Sequence, residues 1–231
     1  ANPHCVECLA YFADVAFSYT VMENLPTTLV PALVSLPDVT EREYVALTRS
    51  ALQALQFLHS RNVVHRKVRP ENLAVANMET LQVKLRDFAL AGEAQRPSLP
   101  HNFVRVLGNP AYTPPELLEQ LRHGPVADVW SLGVSIYVLM LGHFPYQACE
   151  ATNQAMRMAI LHGSPKPSFR PAPHCDVQIS AWAQALLKGV LVRDPLVRPS
   201  AEEVLQFEWF QRAPRSSFPW PSLKPALARA R

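Results

Sequence analysis

Glycine is scarce in this chain: seven occur among 231 residues, and none precedes Gly92. A Gly-x-Gly-x-x-Gly phosphate cradle is therefore excluded from the stretch before that position, because its tight turns need backbone that glycine alone adopts freely. Cysteine is sparse too. Four residues are too few to staple a chain of this length. Cys5 and Cys8 sit at metal-knuckle spacing beside His4, but the second half of such a site would have to come from Cys149 or Cys175, so ordinary free thiols are expected. No apolar run approaches the roughly 20 residues of a membrane-crossing helix, the longest nearly apolar stretch covering 134–141. The start lacks the basic, then apolar, then small-residue order of a signal peptide. An intracellular, cytoplasmic protein is expected, with no membrane association. A net charge of +3 is too modest to point to nucleic acid.

What is present is apolar residue and proline. A hydrophobic content of 48% lets the chain bury a sizeable core, and 22 prolines break its loops into stiff segments. Residues 8–12 and 17–23 read as two short strands around a turn at Ala13 and Asp14. The proline-broken stretch 26–38 has room for one short helix. Thr40 and Glu43 then form a capping-box pattern, and Tyr44, Leu47, Ala51, Leu55 and Leu58 recur at helical spacing, which predicts an amphipathic helix ending near His59. Strands are expected at 73–75 and 83–85, around a turn at 77–80.

Residues 126–142 are apolar throughout and predict a helix buried on all sides, which makes Asp128 a carboxylate in need of partners. Further helices are expected at 149–161, 177–191 and 201–211. Beyond Gln211 the composition shifts: Arg212, Arg215, Lys224, Arg229 and Arg231 stand among prolines with no acidic residue after Glu208. Such a tail is expected to contribute nothing to a core. It reads as a solvated end or, with Phe218 and Trp220, as an arm for the acidic surface of a partner protein.

Residues 63–72 carry the most specific pattern. His65, Arg66 and Asn72 match the His-Arg-Asp-x-x-x-x-Asn catalytic loop of eukaryotic protein kinases, with Lys67 in the place of the Asp. Other landmarks follow in order. Asp87, Phe88 and Ala89 resemble Asp-Phe-Gly; Pro114, Pro115 and Glu116 resemble Ala-Pro-Glu; Asp128 to Gly133 is similar to the start of the family's central helix. Arg198 matches the arginine that pairs with the Ala-Pro-Glu glutamate, here Glu116. The ending 204–210 most resembles the calcium/calmodulin-dependent group.

The resemblance implies an α+β, protein-kinase-like fold. Residues 1–25 would be the end of the small lobe and the hinge, 26–211 the mainly helical C-terminal lobe, and 212–231 a Pro-rich basic tail. It also implies Met22 as gatekeeper, Glu23 and Leu25 as adenine-hinge residues, and Asn72 and Asp87 as the ligands of Mg2+ if nucleotide binds. His65, Arg66, Phe88, Glu116, Asp128 and Arg198 take the structural positions. Ser98 is the activation-loop phosphosite candidate. The Gly-rich loop, the ATP-binding lysine and its partner glutamate are not found in the opening stretch, which implies either a fragment or an incomplete nucleotide cleft.

Three departures surround the reacting centre. Lys67 cannot accept a proton while charged. Asn109 replaces the Thr that contacts the catalytic Asp. Ala89 adds a Cβ where glycine would let the backbone swing. Together they lead to the expectation of a catalytically inactive domain, a pseudokinase and not an enzyme, serving as a scaffold or protein-interaction module. No cofactor is then expected, ATP and Mg2+ being the candidates should the cleft bind any. Two alternatives stand beside it: an atypical low-activity Ser/Thr kinase transferring the ATP γ-phosphate to protein, and a ligand-independent component of a large assembly. Lys67 is expected to be a solvated loop lysine, the other reading being a cation that fills the metal or phosphate space.

Overall fold

Asp14 closes the first turn of the chain. Its Oδ1 accepts from the backbone N–H of Ala16 and of Phe17 at 2.7 Å, and its Oδ2 accepts from the Tyr19 hydroxyl at 2.9 Å. The strands it joins, β1 (Cys8–Ala13) and β2 (Ser18–Met22), form the expected antiparallel hairpin, and every residue of both is exposed. The computed structural model describes residues 2–94, 110–119, 124–173, 175, 177–212 and 222–229.

After the hairpin come β3 (Thr27–Thr28), α1 (Leu29–Ser35) and α2 (Glu41–His59). The capping box forms as expected, with Glu43 Oε2 accepting from the Thr40 backbone N–H at 2.7 Å. It fixes where the helix starts, and so which face of α2 turns inward. Tyr44, Leu47, Ala51, Leu52 and Leu55 are buried on that face. Next, β4 (Val63–Val64) leads to β5 (Leu73–Asn77) and β6 (Gln82–Leu85), and β7 (Gly92–Glu93) pairs back onto β4. The third sheet strand was not expected: β3 hydrogen-bonds to β5, giving the order β3-β5-β6.

The helical half runs α3 (Pro115–Leu118), α4 (Val126–Leu141), α5 (Asn153–His162), α6 (Ala181–Val190), α7 (Ala201–Val204), α8 (Glu208–Arg212) and α9 (Lys224–Arg229). Helix α4 is the axis of the core, buried from Ala127 to its last residue. Two glycines on it are required. Gly142 ends the helix in the left-handed region at φ 76°, and a Cβ on Gly133 would come within 2.5 Å of Val190 Cγ2, so the close approach of α6 depends on its absence. The Tyr44 hydroxyl donates to the Leu139 carbonyl at 2.9 Å, tying α2 to α4.

Two expectations are corrected. The helix predicted over 201–211 is split. Trp209 lies five residues beyond Val204 and would point about 140° away from it on a continuous helix. The tight turn between α7 and α8 re-aims Trp209, so that both are buried and the indole N–H donates to Glu41 at 2.8 Å. The tail, read as unable to join a core, does join it: Leu223, Ala226 and Leu227 are fully buried where α9 packs on α4 and α1, and the Leu223 N–H donates to the Val39 carbonyl at 2.7 Å. Charge and proline drew attention away from the i, i+3, i+4 apolar triad between them. Phe218 and Trp220 lie outside the described residues.

Candidate functional site

The site is built from the loop after β4 and the turn after β6, and Asp128 of α4 holds the first of these. Its Oδ2 accepts from the His65 N–H at 2.8 Å and from His59 Nε2 at 3.0 Å, while its Oδ1 accepts from the Arg66 N–H at 2.7 Å. Burial pushes the Asp128 carboxyl up, but the His59 hydrogen bond and the charges and N–H around it outweigh this and hold it below the usual carboxylate range. Asp128 is thus the partnered buried carboxylate that its sequence position required. His59 was missed: its place in the last turn of α2 carries no signal until α2 and α4 are packed together.

Arg66 takes a left-handed conformation at φ 65°, an arrangement that costs a non-glycine residue on the order of 1–3 kcal/mol and persists only when its surroundings enforce it. The Asp128 carboxylate does so through its paired N–H contacts. His65 is fully buried; its Nε2–H donates to the Arg86 carbonyl at 3.0 Å and its Nδ1 accepts from the Lys67 N–H at 3.3 Å, which assigns the neutral tautomer. Burial lowers its pKa, in the same direction. Phe88 packs edge-on against the ring with centroids 5.0 Å apart.

Lys67 is not a free loop lysine. Its ammonium lies 2.6 Å from Asp87 Oδ2, with both side chains about 30% exposed. Its backbone is pinned on both sides: the N–H by His65, and the carbonyl by Asn72 Nδ2 at 2.8 Å. Asp87 is itself left-handed at φ 62°, with Oδ1 accepting from the Ala89 N–H at 3.4 Å. Partial burial pushes the Asp87 carboxyl up, and the hydrogen bond and charge of Lys67 more than reverse it, leaving the carboxylate below its ordinary range. The Arg86 N–H donates to the Asn72 carbonyl at 3.0 Å, locking the two loops together.

Asn72 and Asp87 are thus both linked to Lys67, Asn72 at its backbone carbonyl and Asp87 at its ammonium. Ala89 lies within a 3-10 turn, Phe88–Leu90, whose helical backbone accepts a Cβ. Glu116 and Arg198 pair at 2.7 and 3.0 Å, fully buried. Of the two residues expected as hinge, Glu23 accepts from the Glu7 N–H at 2.8 Å and pairs with Lys84 at 2.5 Å, a partner the sequence did not mark, while Leu25 is half-buried. Ser98 and Asn109 lie outside the described residues. Among the described residues no cluster of three His, Cys, Asp or Glu side chains could hold a metal, the Cys5 and Cys8 pattern included, and no helix is long and apolar enough to cross a membrane.

Comparison with known proteins sets this geometry in context. A family model described as "Protein kinase domain" matches residues 1–210. Calcium-dependent protein kinases 1 and 10 of Arabidopsis thaliana are both 35% identical, over 91% and 93% of this chain, and calcium-dependent protein kinase 27 of Oryza sativa subsp. japonica is 36% identical over 91%. The chain spans 33%, 38% and 33% of their respective lengths. Among solved structures, the autoinhibited serine kinase domain of the giant muscle protein titin superposes with a TM-score of 0.81 over 99% of this chain and 70% of that one; at 24% identity the likeness shows the protein-kinase-like fold alone. The expectation of a non-enzyme is overturned by these relatives, which are protein kinases by name at 35% identity across nine-tenths of this chain.

Proposed function

This chain belongs to the protein kinase family, and from that premise we propose that it is an atypical Ser/Thr protein kinase of low intrinsic rate, transferring the γ-phosphate of ATP to a hydroxyl of a protein substrate. The observation that carries this reading is that Asn72 and Asp87 both hydrogen-bond to Lys67, Asn72 at its carbonyl and Asp87 at its ammonium, in a loop whose start the Asp128 carboxylate holds.

The donor set fits Mg2+. Asn72 donates through Nδ2 to a carbonyl, so its Oδ1 remains an acceptor, and Asp87 supplies a carboxylate kept ionised by its neighbours. Two hard oxygens from protein, completed by phosphate and water, suit this ion better than a full protein cage would. When bound, Mg2+ supplies charge neutralisation on the phosphates. The chain's own part is to fix the positions. Two left-handed residues, Arg66 and Asp87, are fixed by hydrogen bonds, to Asp128 from the Arg66 N–H and from the Ala89 N–H to Asp87 Oδ1.

Lys67 lowers the rate without removing the basis for it. A positioned base is worth a factor of about 10² to 10⁴. Phosphoryl transfer through a loose transition state draws most of its acceleration from positioning and charge stabilisation. The test is transfer of labelled γ-phosphate from ATP to a mixed Ser/Thr protein substrate, with the Asp87→Ala variant alongside. Slow, Mg2+-dependent transfer lost in the variant supports the reading; no transfer, or equal transfer by both proteins, removes it.

A further inference from the structure

We propose that Lys67 is the resident cation of this nucleotide site, holding Asp87 and taking phosphate charge that a divalent ion would otherwise take, so that ATP binds here without Mg2+. The inference rests on the kinase reading above and adds a property to the same site.

Three observations lead to it. First, one carboxylate oxygen of Asp87 is already engaged: Lys67 Nζ sits 2.6 Å from Oδ2. A divalent ion reaching that atom must displace an ammonium, whose charge already balances the carboxylate. Secondly, the ammonium is aimed from a rigid base. The N–H and the carbonyl of Lys67 are both hydrogen-bonded within the loop, to His65 Nδ1 and from Asn72 Nδ2, so the side chain departs from a fixed point. Thirdly, the pair is open to a ligand, each side chain keeping about 30% of its surface in solvent. An ammonium has three N–H donors. Asp87 uses one, and the others remain for phosphate oxygens, to which lysine binds as a point charge through short charge-assisted bonds.

Asn72 fits the same account. Its Nδ2 supports the Lys67 carbonyl, so the amide positions the cation as well as offering its own oxygen. In the absence of a divalent ion the site thus holds one fixed positive charge beside one fixed negative charge, and an incoming polyphosphate replaces water on the ammonium.

Isothermal titration of the full chain with ATP, in excess EDTA and in Mg2+, tests this, with Lys67→Met and Lys67→Arg as variants and a thermal-unfolding scan of each as the check of folding. Wild type should bind ATP in EDTA within about threefold of its affinity in Mg2+. Lys67→Met should lose about tenfold or more in EDTA and less in Mg2+, as expected when one charged hydrogen bond to phosphate is removed, whereas Lys67→Arg keeps the charge and most of the EDTA affinity. Binding by wild type only when Mg2+ is present overturns the inference and leaves the kinase reading standing. Equal binding by wild type and Lys67→Met in EDTA also overturns it. Absence of ATP binding under both conditions overturns the inference and the kinase reading together.

Discussion

Arg198 and Glu116 meet through two parallel hydrogen bonds, Nη1 to Oε1 at 2.7 Å and Nη2 to Oε2 at 3.0 Å, although 82 residues separate them in sequence. The guanidinium also donates to the carbonyls of Val192, Val126 and Arg193, and lies 5.0 Å from the Trp130 ring centroid. Removing one member of such a pair leaves the other charged and dry. Arg198→Met should therefore cost about 3–5 kcal/mol, measured by urea unfolding, and the double variant Arg198→Met/Glu116→Leu should lose clearly less than the two single losses combined. Additive losses would show that the two charges do not depend on each other.

Asp128 gives the chain a pH dependence of defined sign. Its carboxyl is held below the ordinary range despite the opposing push of burial. The stability it contributes is therefore complete above the ordinary carboxylate pKa of about 3.9 and is lost as pH falls through the lower folded value. Asp128→Asn should cost about 3 kcal/mol at neutral pH, since an amide nitrogen would face a backbone N–H. The gap between wild type and variant, followed by chemical denaturation, should persist at pH 5 and narrow below about pH 4. A gap that widens on acidification would mean that the sign is wrong.

The contrast between Asp128 and Lys67 shows what could be read in the sequence. Asp128 announced its need for partners because a carboxylate in an otherwise apolar helical run has nowhere to go but the core. The capping box of Thr40 and Glu43 and the apolar stripe of α2 were equally local and equally legible. The Lys67–Asp87 pair is not local. Twenty residues, two strands and a turn separate the partners, and the contact exists only because Asp87 turns left-handed and Asn72 pins the lysine carbonyl. The split between α7 and α8 was hidden for a related reason: helical periodicity tells which residues could share a face, but not that Glu41 of α2 would draw Trp209 onto another.

The tail offers a direct test of packing against composition. Leu227 is 1% exposed in α9, which packs on α4 and α1. Leu227→Ala should cost about 2–5 kcal/mol, against less than about 0.5 kcal/mol for a leucine on a solvated end. Urea denaturation with an unchanged m-value decides between them. Leu223→Ala, at 0% exposure in the same cluster, should behave alike.

Placing a carboxylate at position 67 separates the two roles proposed for Lys67. In the Lys67→Asp variant a group able to accept the substrate hydroxyl proton stands where an ammonium stood, and a positioned base is worth a factor of about 10² to 10⁴ in rate. The same substitution removes the cation that lies 2.6 Å from Asp87 and puts a second negative charge beside it. The two effects act on different quantities. With saturating Mg2+ and ATP, kcat for phosphate transfer to protein should rise about 100-fold. The Mg2+ concentration needed for half-maximal rate should fall as well, because two carboxylates without an ammonium hold a divalent ion better than one carboxylate that is already paired. ATP affinity in EDTA should drop, since like charges now face the phosphates. A rise in kcat with no change in metal requirement would assign Lys67 to the missing base alone. A lowered metal requirement with unchanged kcat would mean that the proton is not what limits this site.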